Sequence, residues 1–386
     1  MGLTCIPGMS AELDQRFMAL ALTLGRRGLG NAWPNPAVGA VVVRDGIMVG
    51  RGWTQPGGRP HAEVEALRRA GAAARGATLY ATLEPCSHHG QTPPCVDAIL
   101  AAGVARVVSA LEDPNPQIAG EGHARLRQQG VAVDVGLGAE QARRQHAGHF
   151  RRVRDGRPHV TLKLAVSADG KVGLPGRKPA SITGEAARLR VHQMRAMNDA
   201  VVTGIGTVLA DDPQLNVRLS GMEPRSPVRV VLDSQLRLPP RSQLAISATR
   251  TLDWVFVAAD AKPEHERVLT DAGVEVLRAP SQNGRLDLLA VLRALAGRGI
   301  TRVMVEAGPI LSAAFLTADL VDAAALFRSP NPLGEGLDAL EGLPLSALTL
   351  SPKLRLVESE QIGADTLQVY ERREVIPAER SESRNP

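Results

Sequence analysis

The chain has 386 residues, of which 44% are hydrophobic, 22% charged and only 3% aromatic, with a formal net charge of +5. That length exceeds what one core usually serves, so two domains are expected, and no apolar run approaches the roughly 18 residues that cross a membrane. Aromatic residues are too few for the stacking surfaces of single-stranded nucleic acid binding, and Trp33, Trp53 and Trp254 are scattered, so neither a nucleic-acid nor a membrane partner is expected.

The start, "MGLTCIPGMSAELDQ", has neither the positive charge nor the apolar stretch of a secretory signal, and a cytoplasmic location is expected. In that reducing setting the cysteines form no disulfide framework, so the close pair Cys86 and Cys95 reads as metal-binding or catalytic. "VGAVVVRDGIMVGRGW" reads as two strands joined by a tight turn at Asp45-Gly46. "HAEVEALRRAG" has helical spacing and a stop at Gly71, "ATLYATLEPC" is a buried strand, and "PPCVDAILAAG" restarts a helix at Pro94 that Gly103 ends. "ARVVSALED" and "VAVDVGLG" add further strands. Residues 146–160, "HAGHFRRVRDGRPHV", read as a basic link, after which βα alternation resumes with a helix from about Thr183 to Met197 and the strands "VRVVLDS", "WVFVAAD" and "VEVLRAP". The tail "IPAERSESRNP" reads as disordered. The expected domains are 1–153 and 154–375, both α/β, with 376–386 as the tail.

The loop "EPCSHHGQTPPC" carries the strongest signal. A zinc ion that activates water needs three protein ligands and one open position, so two thiolates require a partner. His61, at the start of the "HAE" helix, is the natural third. The order His-x-Glu followed by Pro-Cys is that of zinc deaminases, whose Glu shuttles protons without binding metal. The predicted site is therefore His61, Cys86 and Cys95 around zinc, with Glu63 as shuttle, and the predicted reaction is hydrolytic removal of an amino group from an aromatic ring carbon. His88 and His89 read as substrate-facing loop residues, since a fourth protein ligand would close the open position.

The loop, with "PNPAVGAVVV", "SALEDPNPQIAG", "TLKLAVSADGKV", "TVLADDPQLNVR" and "VEAGPILSAAFL", resembles the bifunctional riboflavin biosynthesis proteins over about residues 12–320. The resemblance implies an N-terminal cytidine-deaminase-like α/β/α sandwich and a C-terminal dihydrofolate-reductase-like α/β domain. The first removes the 2-amino group of a diaminopyrimidinone carrying a ribosylamino phosphate, and the second uses NADPH to reduce the ribosyl group to ribityl. It makes Asn35, His88, Pro179, Arg195, Leu215, Arg218 and Glu306 substrate contacts. Ala165, Ser181, Thr207, Asp211, Ser234, Gly308, Pro309, Ile310, Leu311, Ser312, Ala313 and Ala314 become NADPH contacts, and Lys163 and Asp211 participants in opening or protonating the sugar. A homo-oligomer, dimer or tetramer, is also implied. Three departures stand out: Gln91 where relatives carry a basic residue, "PASIT" at Pro179 to Thr183 where they have a tryptophan, and altered sequence after Val321. The competing reading is an active deaminase whose second domain has lost its cofactor.

Overall fold

A computed structural model of the chain describes residues 7–116, 118–177 and 181–373. Pro179 and the expected tail at 376–386 lie outside these residues. Two compact units are present: the described residues of 1–159 and 189–304 form one, and those of 160–188 and 305–386 form the other.

In the first unit, strands β1 (Gly39–Arg44), β2 (Ile47–Trp53), β3 (Thr78–Ala81), β4 (Arg106–Ser109) and β5 (Ala132–Val135) form a sheet of order β2-β1-β3-β4-β5. The first two are joined by the turn read from the sequence, with Asp45 at φ 52° and Gly46 at φ 76°, the paired positive angles that match the twist of a two-residue hairpin. β3, β4 and β5 run parallel, connected through α3 (Cys95–Ala101) and α4 (Glu121–Gln128). β1 is buried from Gly39 to Val43 without alternation, so both its faces are covered. Two glycines show by what. A Cβ on Gly39 would lie 1.9 Å from the Ala21 carbonyl of α1 (Pro7–Gly25), and one on Gly52 would lie 2.4 Å from the Ala62 carbonyl of α2 (Ala62–Ala70). Gly52 pairs with Ala40, one residue along from Gly39, so the two helices lie on opposite faces of a three-layer sandwich. The buried Val41, Val42, Leu79, Val107 and Ile99 fill it, each such side chain contributing about 1.5–3 kcal/mol by leaving water.

Residues 146–160 differ from the expected link: α5 (Ala139–Gln145) is followed directly by α6 (Ala147–Asp155), which ends at Gly156 with φ 65°. Its basic residues suggested an exposed connection, yet Arg152 donates to the carbonyls of Ala296 and Pro34 at 2.9 and 3.0 Å. Arginines satisfying backbone acceptors are indistinguishable by composition from solvated ones. The first unit also contains four parallel strands in sequence order, Ala200–Gly204, Val228–Leu232, Asp253–Ala258 and Val274–Ala279. The first three are valine-rich and buried, as strands covered on both faces are.

In the second unit, residues 161–166 of the strand His159–Val166 pair in parallel with Ala323–Arg328, which pairs antiparallel with Asp365–Arg372, and that in turn with Leu354–Ile362. The altered sequence after Val321 thus still supplies a strand, because its small alanines and Phe327 are all buried.

Candidate metal centre and cofactor-binding residues

Three chain ends converge in the first unit. His61 is the residue before α2, Cys86 lies in the loop after β3, and Cys95 opens α3. Among the described residues these three form the only cluster of its kind, with ligand atoms all within 4.8 Å of one another. His61 Nδ1 lies 3.3 Å from Cys95 Sγ and 3.6 Å from Cys86 Sγ, and the Cys95 backbone N–H donates to Cys86 Sγ at 3.3 Å. The thiols share protons unevenly: hydrogen bonds from Cys95 and His61 hold Cys86 down to about 4, while the neighbouring Cys86 and burial push Cys95 up. His61 is raised chiefly by its hydrogen bond to Cys86. One nitrogen and two sulfurs at this spacing, two of them competing for negative charge, form the donor set of a three-ligand zinc site with a position to spare.

Glu63, in the first turn of α2, is only 3% exposed, and burial raises its carboxyl to about 7. Its Oε2 has no hydrogen-bond partner among the described residues. A buried acceptor without a donor normally costs stability, and a carboxyl titrating near neutrality suits proton transfer. On the far side of the ring, Asn35 Nδ2 lies 3.4 Å from His61 Nε2 and donates to the Gly58 carbonyl at 2.9 Å. His88 and His89 stand outside the metal cluster, and His89 approaches Asp97 at 3.9 Å.

Two residues were not singled out from the sequence. Glu84 is buried and gathers backbone N–H groups of one loop: Oε2 accepts from Asp113 and Gly120 at 3.0 and 2.9 Å, Oε1 from Gly122 at 2.8 Å. It fastens that loop to the segment carrying Cys86, and the only sequence signal was an acid at the end of an apolar run. Arg59, two residues before His61, lays its guanidinium on Thr92, beside Gln91, and has no ion pair among the described residues.

The other expected residues are divided between the units. In the first, Arg195 Nη1 donates to the Asn216 carbonyl at 2.9 Å, Leu215 is buried at φ 50°, and the Arg218 N–H points at His192 Nδ1. Thr207 and Asp211 lie on the helix Ile205–Asp211, where burial raises the Asp211 carboxyl, and Ser234 follows the strand Val228–Leu232. In the second unit, Lys163 and Ala165 sit on the strand His159–Val166, with Lys163 Nζ 5.9 Å from the Phe327 ring centre. Glu306 ends a strand, Gly308 caps the helix Pro309–Thr317, which carries Ile310, Leu311, Ser312, Ala313 and Ala314, and Ser181 is exposed beside Arg188.

The family described as "RibD C-terminal domain" matches residues 158–368, and "Cytidine and deoxycytidylate deaminase zinc-binding region" matches residues 11–111. The riboflavin biosynthesis protein RibD of Escherichia coli (strain K12) is 42% identical over 364 residues, covering 91% of this chain and 97% of its own. The chain belongs to the RibD family. The RibD of Aquifex aeolicus is 39% identical, covering 94% of this chain and all of its own. The solved RibD of Acinetobacter baumannii superposes with a TM-score of 0.82 at 38% identity, covering 94% of this chain and 99% of its own. A deaminase/reductase from Thermotoga maritima does so with 0.82 at 36%, covering 94% and 100%. As a RibD, this is a bifunctional enzyme of riboflavin biosynthesis, a zinc-dependent deaminase and an NADPH-dependent reductase in one chain. Both family matches are present, so nothing favours a deaminase with a lapsed second domain. Among the described residues no helix is long and apolar enough to cross a membrane.

Proposed function

We propose that the chain deaminates 2,5-diamino-6-(5-phosphoribosylamino)pyrimidin-4(3H)-one and then reduces the ribosyl group of the product to ribityl, with residues 1–153 and 154–375 responsible for the two steps. The observation that carries the first step is the convergence of His61, Cys86 and Cys95 beside a buried, unpartnered Glu63 carboxyl oxygen. Zinc held by those three residues supplies the Lewis acidity that makes hydroxide available near neutral pH. Glu63 takes the proton of the attacking water and returns it to the departing amine, which leaves as ammonia while the ring carbon gains oxygen. A carboxyl near pH 7 serves both transfers, because neither protonation state is strongly preferred. Asn35, beside His61, contacts the substrate. His88 faces the substrate, and Arg59 supplies the cation for its phosphate that Gln91 does not.

In the reductase, Arg195, Leu215, Arg218, Glu306 and Pro179 hold the ribosyl substrate, and Asp211 and Lys163 handle the proton that opens the sugar before hydride transfer. Ala165, Ser181, Thr207, Ser234 and the stretch Gly308–Ala314 hold NADPH, the free N–H groups at the start of the helix Pro309–Thr317 suiting its phosphates. The enzyme acts in the cytoplasm as a homo-oligomer, on a small phosphorylated pyrimidine, with no nucleic-acid or membrane partner.

The test follows ammonia release from the diaminopyrimidinone by the zinc-loaded protein, then the fall in nicotinamide absorbance on adding NADPH. Ammonia followed by oxidation is expected; no ammonia would overturn the deaminase assignment. Asp211→Asn is expected to stop NADPH oxidation while ammonia release continues, and full turnover by that variant would remove the role given to Asp211.

A further inference from the structure

The segment between α1 and β1, residues 26–38, brings Asn35 to the metal centre. Backbone turns fold it: the Asn31 and Ala32 N–H groups donate to the Gly28 carbonyl, and the Asn35 N–H to the Ala32 carbonyl. Its far end is fastened to the deaminase fold, where Thr54 Oγ1 donates to the Pro36 carbonyl at 2.9 Å and Asn35 Nδ2 to the Gly58 carbonyl. Its near end is held differently. The Arg27 and Leu29 carbonyls stand where α1 runs out through a 3₁₀ turn, a place where backbone acceptors need donors from outside the helix.

The donor is Arg225, which lies in the stretch matched by the RibD C-terminal domain, 198 residues along the chain from Arg27. Its Nη1 donates to the Arg27 carbonyl at 3.0 Å and its Nη2 to the Leu29 carbonyl at 2.6 Å. Nη2 also donates to the Ala196 carbonyl at 3.3 Å, next to Arg195. A planar, permanently charged fork can satisfy several acceptors in fixed directions, which a single ammonium cannot. The stem of Arg225 is itself set: its N–H donates to the Met222 carbonyl, and the hydroxyl of Ser226 accepts from Val217 and donates to the Glu223 carbonyl. The backbones meet closely here. A Cβ on Gly30, at φ 76°, would lie 2.4 Å from the Ala196 oxygen, and one on Gly299, at φ 95°, would lie 2.7 Å from Pro34 Cβ. Arg152 fastens the Pro34 carbonyl from a third direction, and all of these residues belong to the first compact unit.

We propose that Arg225 is a positioning residue for deamination supplied by the reductase part of the chain: it holds residues 26–38 so that Asn35 meets the pyrimidine substrate. The inference rests on the reading that Asn35 contacts that substrate. Without the fork the Arg27 and Leu29 carbonyls lose their donor, the segment leaves its seat against Ala196, and Asn35 is displaced from the substrate. The loss falls on substrate binding and not on the chemical step, because the metal ligands and Glu63 stand on α2, α3 and the Cys86 loop. The deaminase site is therefore complete only with residues of the reductase part attached.

The experiment measures ammonia release from the diaminopyrimidinone by the full-length, zinc-loaded enzyme and by Arg225→Gln, Arg225→Lys, Asn35→Ala and the Arg225→Gln/Asn35→Ala pair. Arg225→Gln is expected to raise KM about tenfold, with kcat within about threefold and zinc fully retained. Arg225→Lys keeps the charge without the fork and should recover part of the loss. The pair should be no worse than Asn35→Ala alone, since a residue that acts through another adds nothing once the other is gone. NADPH oxidation on the deaminated substrate reports that each variant has folded; should Arg225→Gln lose it, Arg225→Lys paired with Asn35→Ala makes the same comparison. A wild-type KM in the Arg225 variants overturns the proposal. So do losses that multiply in the pair, which would show that Arg225 supports the fold at large and not Asn35. A wild-type KM in Asn35→Ala would instead overturn the reading beneath it.

Discussion

The residues of the metal centre fall between His61 and Cys95, on the ends of elements within one compact unit, whereas those expected in the reductase run from Lys163 to Ala314 and are divided between two units. The difference is one of chemistry. A metal ion demands several ligands at bonding distance, and a strand end with two helix starts provides them within a short span of chain. A dinucleotide and a sugar phosphate are long, so their contacts are collected from many strand ends. The first kind of site is brittle, with each ligand indispensable; the second is distributed, with each contact contributing a part.

Removing a ligand should divide the two activities completely. Cys95→Ser, or treatment with a strong chelator, is expected to abolish ammonia release while NADPH oxidation on the deaminated substrate continues at the wild-type rate. Zinc content and the two assays check this together. Loss of both activities would mean that the halves depend on one another in a way their separate sites do not require.

Glu63→Gln comes next in size. The amide keeps the shape of the side chain and cannot shuttle a proton, so kcat for deamination should fall about 10²- to 10⁴-fold with zinc still bound. A variant that lost its zinc would place Glu63 among the ligands instead.

These two predictions concern residues that were visible in the sequence, for a physical reason. His-x-Glu and Pro-Cys record bonding geometry directly, and the Asp45-Gly46 turn records a backbone conformation that few residues accept. Glu84 was not visible, because a carboxylate that satisfies N–H groups 29 to 38 residues away leaves no local pattern. Helix α6 was hidden by its own arginines, among which Arg152 finds its partners more than a hundred residues away in the chain. Asn35 was visible as a substrate contact through the resemblance, but its place against His61 required the fold to bring positions 26 residues apart together.

A smaller effect is expected at Arg59. Its guanidinium rests on the loop where Gln91 stands, so Arg59→Gln should raise the KM for the phosphorylated substrate about tenfold and leave kcat within about twofold. The dephosphorylated nucleoside should be handled equally by both proteins. Equal losses on the two substrates would show that Arg59 supports the loop and not the phosphate.

The smallest expected effect is one of stability and separates the deaminase scaffold from its chemistry. His146, between α5 and α6, is buried, and its Nε2 lies 3.0 Å from Thr82 Oγ1, whose oxygen accepts the Gly39 N–H that opens β1. Burial pushes its pKa down from 6.5 to about 3, so the folded protein keeps the ring neutral while the unfolded chain protonates it. The unfolded state therefore binds the extra proton between about pH 6.5 and 3, and this contribution to stability is whole above that window and lost as the pH falls through it. The slope is about 1.4 kcal/mol per pH unit, or about 2 kcal/mol between pH 6.5 and 5. Urea unfolding of wild type and His146→Gln at a series of pH values isolates the effect, because contributions from other groups cancel in the difference. The variant should be less stable at pH 7.5, and the gap should narrow towards pH 5. A gap independent of pH would mean that His146 is matched by a proton partner in the folded state, and that packing alone accounts for its place beneath the metal-bearing sheet.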